Sequence, residues 1–258
     1  MSDLHGKYVW IELMTSDPNA AEAFYSKVVG WGAKDSGQPG MKYTLLTMGP
    51  AMMGGLMEVP EDAKKMGARP MWLGYIDVDD CDQYAEKIKA AGGRVYREPS
   101  DVPGMLRFAV VADPYGATFI IMTPFGGPPE GGVPEPNSPG TVGWRELHAG
   151  DLNGAWTFYS SLFGWQKGDA MDMGAMGAYQ LFKIDENQSG GMMTKSPQTP
   201  APFWLYYFNL PKLDPAIEAI KANGGKIVNG PMEVPGGQWI VQANDPQGAM
   251  FALVAPVR

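Results

Sequence analysis

The chain of 258 residues contains one cysteine, Cys81, and two histidines, His5 and His148. A single thiol excludes an intrachain disulfide and any cysteine-rich zinc or iron–sulfur site. Basic residues are the minority, 20 Lys and Arg against 28 Asp and Glu, and no Lys/Arg cluster offsets the net charge of −8. The electrostatic attraction that drives non-specific nucleic-acid binding therefore has the wrong sign. No apolar run approaches the ~20 residues of a membrane span. The opening Met1-Ser2-Asp3-Leu4-His5-Gly6-Lys7 has no apolar segment of the kind that marks a secretory signal. What is abundant is Gly (34), Pro (23), Met (18) and hydrophobic positions generally (45%), enough for a sizeable core. The expectation is a cytoplasmic protein whose partner is a small molecule, with no nucleic acid and no membrane involved.

The chain repeats itself. Trp10-Ile11-Glu12-Leu13 returns as Trp144-Arg145-Glu146-Leu147, and Phe24-Tyr25-Ser26 with Gly30-Trp31 returns as Phe158-Tyr159-Ser160 with Gly164-Trp165, both 134 residues later. Val102-Pro103-Gly104, Asp113-Pro114-Tyr115-Gly116-Ala117 and Ile88-Lys89-Ala90 with Gly92-Gly93 all return 132 residues later. Ordered motifs at a nearly fixed offset indicate duplication, and the offset is far too long for a solenoid. Two homologous domains are expected at 5–125 and 140–258. Between them, 126–139 is rich in Gly and Pro and reads as an extended, semi-stiff linker.

Within a domain the pattern reads strand, helix, three strands, and then the same again. Tyr8–Met14 alternates and is rich in β-formers. Thr15-Ser16-Asp17-Pro18 is a helix start, and Ala21, Phe24, Tyr25 and Val28 form one apolar face before Gly30. Short strands are expected near Tyr43–Met48 and Met52–Met57. Trp72–Val78, a helix over Asp80–Ala91, Arg94–Tyr96, Leu106–Ala112 and Ala117–Thr123 complete the second unit. Asp17 to Asp79 and Gly30 to Gly92 are both 62 apart, so each domain is itself a doubled βαβββ unit and four such modules make the chain.

These residues resemble the vicinal-oxygen-chelate superfamily of glyoxalases, extradiol dioxygenases and bleomycin-resistance proteins. The resemblance rests on Asp17…Phe24-Tyr25…Gly30-Trp31, Val78-Asp79…Ile88…Gly92-Gly93 and Asp113-Pro114-Tyr115-Gly116, with their second-half counterparts. It extends over nearly the whole chain and looks closest to a tandem, glyoxalase-like or hydroxylase-like subgroup. It implies an α+β fold of tandem glyoxalase-like domains, with four βαβββ modules forming curled mixed sheets around cavities. A fold does not by itself fix a function.

Enzymes of the superfamily hold a divalent metal with His or Gln on the first strand, His on the fifth and Glu on the fourth or eighth. In this sequence the first-strand position falls on Trp10 and Trp144, the fifth on Leu73 and Leu205, and the eighth on Ile120 and Ala252. None can ligate a metal. The fourth-strand segments Gly55-Leu56-Met57 and Gly191-Met192-Met193 offer no hard ligand unless Glu58 turns inward. A two-histidine site would require His5 to meet His148. No metal and no other cofactor is therefore expected.

Strand alternation puts Trp10, Glu12 and Met14 on one face, and Trp144, Glu146 and His148 on the matching face of the second domain. By resemblance that face looks into the cavity, joined by Leu73, Tyr75, Asp77 and Met122, or by Leu205 and Tyr207. Such a lining suits a planar, partly apolar ligand with a hydrogen-bond donor or a positive group. The two tryptophans read either as pocket floor or as plugs of a half-barrel that no longer holds a metal. Glu12 and Glu146 read either as structurally paired carboxylates or as general acid–base groups. His148, matched by Met14 in the first domain, gives the second domain alone an acid–base pair, or else is a rim histidine. Two functions follow: a metal-independent binder resembling bleomycin-resistance proteins, or a cofactor-free isomerase, lyase or cyclase using Glu146 with His148, or Glu12. The methionines of the third and fourth strands read as adaptable cavity wall or as core filler. Internal pairing of the domains would give a monomer, and a homodimer is the alternative.

Overall fold

The computed structural model describes residues 3–38, 40, 42–126 and 134–258. The first half runs β1 (Tyr8–Thr15), α1 (Pro18–Val28), β2 (Gly32–Asp35), β3 (Tyr43–Met48), β4 (Ala51–Glu58), a short α2 (Glu61–Lys65), β5 (Met71–Asp77), α3 (Cys81–Ala90), β6 (Arg94–Val102), β7 (Leu106–Ala112) and β8 (Thr118–Pro124). The second half runs β9 (Val142–Ala149), α4 (Leu152–Phe163), β10 (Gln166–Asp172), β11 (Ala178–Ile184), β12 (Asn187–Thr194), β13 (Phe203–Asn209), α5 (Asp214–Ala222), β14 (Lys226–Val234), β15 (Gln238–Asn244) and β16 (Met250–Ala255). The strands form two open, mixed sheets of eight, ordered β2-β3-β4-β1-β5-β8-β7-β6 and β10-β11-β12-β9-β13-β16-β15-β14. The class is α+β and the four βαβββ modules are present.

Local chemistry sets the helix limits. Asp17 accepts from the Ala20 amide at 3.0 Å and Asp151 from the Gly154 amide at 2.7 Å, each satisfying an amide that the first helical turn leaves unpaired. Pro18 opens α1 with its φ already helical, and Gly164 closes α4 at φ 69, a left-handed conformation that favours glycine. The apolar face of α1 is Ala21, Phe24, Tyr25 and Val28, all buried.

Two elements differ from the sequence reading. The four residues of β2 are all exposed, so this strand carries no apolar alternation to reveal it. β6 extends to Val102 rather than stopping at Tyr96, because register shifts around Arg97 break its alternation. Of the expected linker, 127–133 lies outside the described residues; 134–139 contains neither helix nor strand.

The chain folds into two compact units, each drawing on both halves of the sequence. One contains α3, β6–β8, α4 and β10–β12; the other contains α1, β2–β4, α5 and β14–β16; β1, β5, β9 and β13 are divided between them. In the first unit the Tyr159 hydroxyl donates to buried Asp113 at 3.4 Å and accepts from the Trp204 indole at 3.0 Å. Trp165 stacks on Tyr159 (5.2 Å between centroids) and on Phe182 (4.7 Å), making an aromatic core. In the second unit Tyr25 donates to buried Asp245 at 3.1 Å and accepts from Trp72 at 2.9 Å, and Phe24 and Tyr25 pack edge-on against Phe251. Asp113 and Asp245 also hold their own turns, accepting from the amides of Tyr115, Gly116 and Ala117, or of Gln247 and Ala249. Among the described residues no helix is long and apolar enough to cross a membrane.

Candidate functional site

β9 lies beside β12 in parallel register, with Glu146 opposite Gly191 and His148 opposite Met193. Trp144, Glu146 and His148 alternate onto one face of β9, as the sequence implied. A fourth residue completes the group. Tyr179 on β11 is registered with Met193, and its ring leans over Gly191, where any Cβ would meet the ring at 2.3 Å. Glycine at 191 therefore makes room for the phenol to reach β9.

The result is a continuous chain of hydrogen bonds. The Trp144 indole donates to the Tyr179 hydroxyl at 2.9 Å, and that hydroxyl donates to Oε2 of Glu146 at 2.9 Å. Oε1 of Glu146 lies 2.8 Å from Nε2 of His148. An ionised carboxylate only accepts, so Nε2 carries the hydrogen and Nδ1 is left as the acceptor nitrogen of a neutral ring. His148 lies flat on Phe203 of β13, centroids 4.5 Å apart and planes 4° from parallel. Glu146 and Tyr179 are each 8% exposed, while Trp144, His148 and Phe203 are half-buried. The carboxylate is thus withdrawn, and the imidazole stands nearer to solvent.

The first repeat carries only part of this arrangement. Glu12, 2% exposed, is registered with Gly55, and the Tyr43 ring lies over Gly55 as Tyr179 lies over Gly191. Met14 is registered with Met57, so a thioether stands where the second repeat has an imidazole. Trp10 and Met14 are half-buried. Tyr43, Tyr179 and Phe203 were not singled out from sequence. The signal available was the glycine pair inside β4 and β12, which marks close approach to a strand.

The remaining sequence-predicted residues line the other strands. Leu73, Tyr75 and Met122 are buried, with Tyr75 registered opposite Ile120 and buried Asp77 opposite Met122. Leu205 and Tyr207 are buried as well. Tyr207, Ala252 and Gln242 form a row across β13, β16 and β15, and Gln242 donates to the Tyr207 hydroxyl at 2.7 Å across the short Ala252 side chain. The corresponding row of the first repeat, Tyr75, Ile120 and Val110, has no such polar partner to its tyrosine on β7.

These residues do not fit a divalent metal. Trp10, Leu73 and Ile120, and likewise Trp144, Leu205 and Ala252, offer no ligand-type oxygen, nitrogen or sulfur. Glu58 is exposed and held by Lys64 at 2.7 Å, so it stays on the rim. His5 is engaged by the Tyr84 hydroxyl at 3.1 Å and His148 by Glu146, so the two histidines serve different clusters. No group of three His, Cys, Asp or Glu side chains is placed to share a metal among the described residues. Cys81 opens α3, but burial pushes its thiol up to about 12, the opposite of an activated cysteine. The methionines divide: Met192 and Met53 are core, whereas Met173 and Met176 are exposed.

A family model described as "Glyoxalase/Bleomycin resistance protein/Dioxygenase superfamily" matches residues 7–121 and 141–253. "Putative glyoxylase CFP32" of Mycobacterium tuberculosis is 29% identical over 250 residues, covering 96% of this chain and 94% of that protein. "Anthracycline biosynthesis protein DnrV" of Streptomyces peucetius is 28% identical over 261 residues, covering 96% and 93%. Among solved structures, the Mn(II)-bound glyoxalase from Novosphingobium aromaticivorans aligns with a TM-score of 0.67 at 16% identity, over 98% of this chain and 83% of the other. The 2,2',3-trihydroxybiphenyl 1,2-dioxygenase of Sphingomonas wittichii also gives 0.67, at 12% identity, over 96% and 89%. At such identities these likenesses speak to fold alone.

Proposed function

The chain belongs to the glyoxalase/bleomycin resistance protein/dioxygenase superfamily, and because the six aligned metal positions carry no donor, we propose that it binds a small, partly aromatic or hydrophobic molecule without a metal. The observation that carries this reading is the Trp144–Tyr179–Glu146–His148 chain, with Phe203 against the imidazole. Flat π-surfaces supply contact area, and a few fixed polar groups set orientation. The name of the Streptomyces relative supports the ligand class, since an anthracycline is a flat aromatic molecule. The test is binding of uncharged planar aromatic probes, from benzene- to anthraquinone-sized, to EDTA-treated protein by equilibrium dialysis. Saturable binding that weakens in Trp144→Ala supports the reading. Binding that appears only after a divalent metal is added overturns it.

A second reading is favoured by the 2.8 Å Glu146–His148 pair. A carboxylate behind an imidazole is the arrangement of a general base, and it would serve a cofactor-free isomerase, lyase or cyclase. Under that reading Glu146→Gln loses turnover and keeps ligand. A variant that loses binding and turnover together argues instead for a purely positioning carboxylate.

A further inference from the structure

Resting on that binding reading, we propose that the β9 site takes a weakly acidic hydroxyl ligand, a phenol or an enol, and holds it as the anion with its proton on Nδ1 of His148.

Four observations lead there. Both oxygens of Glu146 are engaged inside the protein, one by Tyr179 and one by His148, so a ligand meets the imidazole rather than the carboxylate. This disfavours the cationic ligand that a bare Trp–Glu pair would suit. Nε2 is committed to Glu146, and the ring forms no other hydrogen bond among the described residues, which leaves Nδ1 as its acceptor. The ring is held in orientation by Phe203 on β13 and flanked by Met193 on β12, neither of which titrates.

Charge narrows the class further. The titratable groups facing the ring are Glu146 and, through it, Tyr179, and the cluster's one formal charge is that of the carboxylate. Arg145 alternates to the opposite face, where its guanidinium lies over the Tyr8 ring at 4.9 Å. A ligand that arrives as a carboxylate or phosphate therefore meets a like charge without a cation. An aliphatic alcohol holds its proton too tightly for an imidazole to remove it. A phenol or enol arrives neutral; its O–H bond breaks, an N–H bond forms at Nδ1, and the Nε2 hydrogen stays on Glu146. The products are an aryloxide or enolate beside an imidazolium, itself backed by a carboxylate, and no other reactant is needed. Met14 occupies the equivalent place in the first repeat, so there is one proton-accepting site per chain.

The probe is 4-nitrophenol, whose anion is yellow, with its methyl ether 4-nitroanisole as the analogue that has no proton to give. Below the free phenol's titration midpoint, wild-type protein is expected to raise the anion-to-phenol ratio of bound probe at least about tenfold, the effect of a nearby opposite charge on an acid. His148→Met, which copies the first repeat, binds the phenol in its colourless form. Both proteins bind the ether alike. Binding of both probes with no anion band in wild type overturns proton uptake and leaves the binding reading standing. Failure of either probe to bind saturably overturns both. The wild-type spectrum decides alone if the variant does not fold.

Discussion

The Tyr179 hydroxyl donates to Oε2 of Glu146 at 2.9 Å while accepting from the Trp144 indole at the same distance, so one phenol fixes both groups that flank it on β9. Tyr179→Phe removes this junction and keeps the ring. One carboxylate oxygen of a nearly buried glutamate then loses its donor, and the indole N–H loses its acceptor. A loss of about 1–3 kcal/mol is expected, the cost of leaving buried polar groups unsatisfied. Urea unfolding measures it. An unchanged midpoint and slope would show that the hydrogen-bonded chain adds nothing to stability.

Gly191→Ala tests the same junction from the opposite strand. A methyl there would stand 2.3 Å from the Tyr179 ring, well inside contact distance, so the ring must move. Displacement costs about 1–3 kcal/mol, as overpacking does, and separates the hydroxyl from Glu146. Gly55→Ala should act likewise through Tyr43 in the first repeat. A crystal structure of Gly191→Ala with Tyr179 still on Glu146 would contradict this account.

The β9 part of the site was legible because alternation is a property of one short segment: Trp144, Glu146 and His148 share a face whatever lies next to them. Tyr179 and Phe203 were not legible, because placing them needs the register between segments 30 to 60 residues apart. The Gly190-Gly191 pair was the available sign, since two glycines inside a strand leave room for something to approach, though not for a known partner. The fold was legible for a different reason. Duplicated motifs fix order and spacing, and an exposed strand such as β2 can be inferred from the module without any pattern of its own.

Asp113 and Asp245 give the two compact units a pH response of known sign. Burial raises both carboxyls above the ordinary range, against the backbone amides and the tyrosine hydroxyls that pull them down. A carboxyl raised in the folded state binds its proton more tightly there than in the unfolded chain. Its contribution is full below the unfolded value of about 4 and is lost as pH rises through the folded one. The wild-type minus Asp113→Asn/Asp245→Asn stability difference, followed by urea midpoints across acid pH, should therefore fall with increasing pH. A difference that rises instead would mean that the amide and tyrosine hydrogen bonds outweigh burial. Tyr25→Phe, which removes the Asp245 partner and strands the Trp72 indole, should cost about 1–3 kcal/mol.

The metal question has a direct measurement. Superfamily chemistry requires side chains that share a divalent ion, and the aligned positions hold indole, leucine, isoleucine and alanine groups that cannot replace the ion's water. Protein stripped with EDTA, incubated separately with Fe(II), Mn(II), Ni(II) and Zn(II) and passed into native mass spectrometry, should retain none of them stoichiometrically. Surface carboxylates will pick up traces that vary with concentration and wash out. One ion per chain that survives dilution would mean that donors outside the aligned positions build a centre, and the superfamily's chelating chemistry would return as the leading account of the chain.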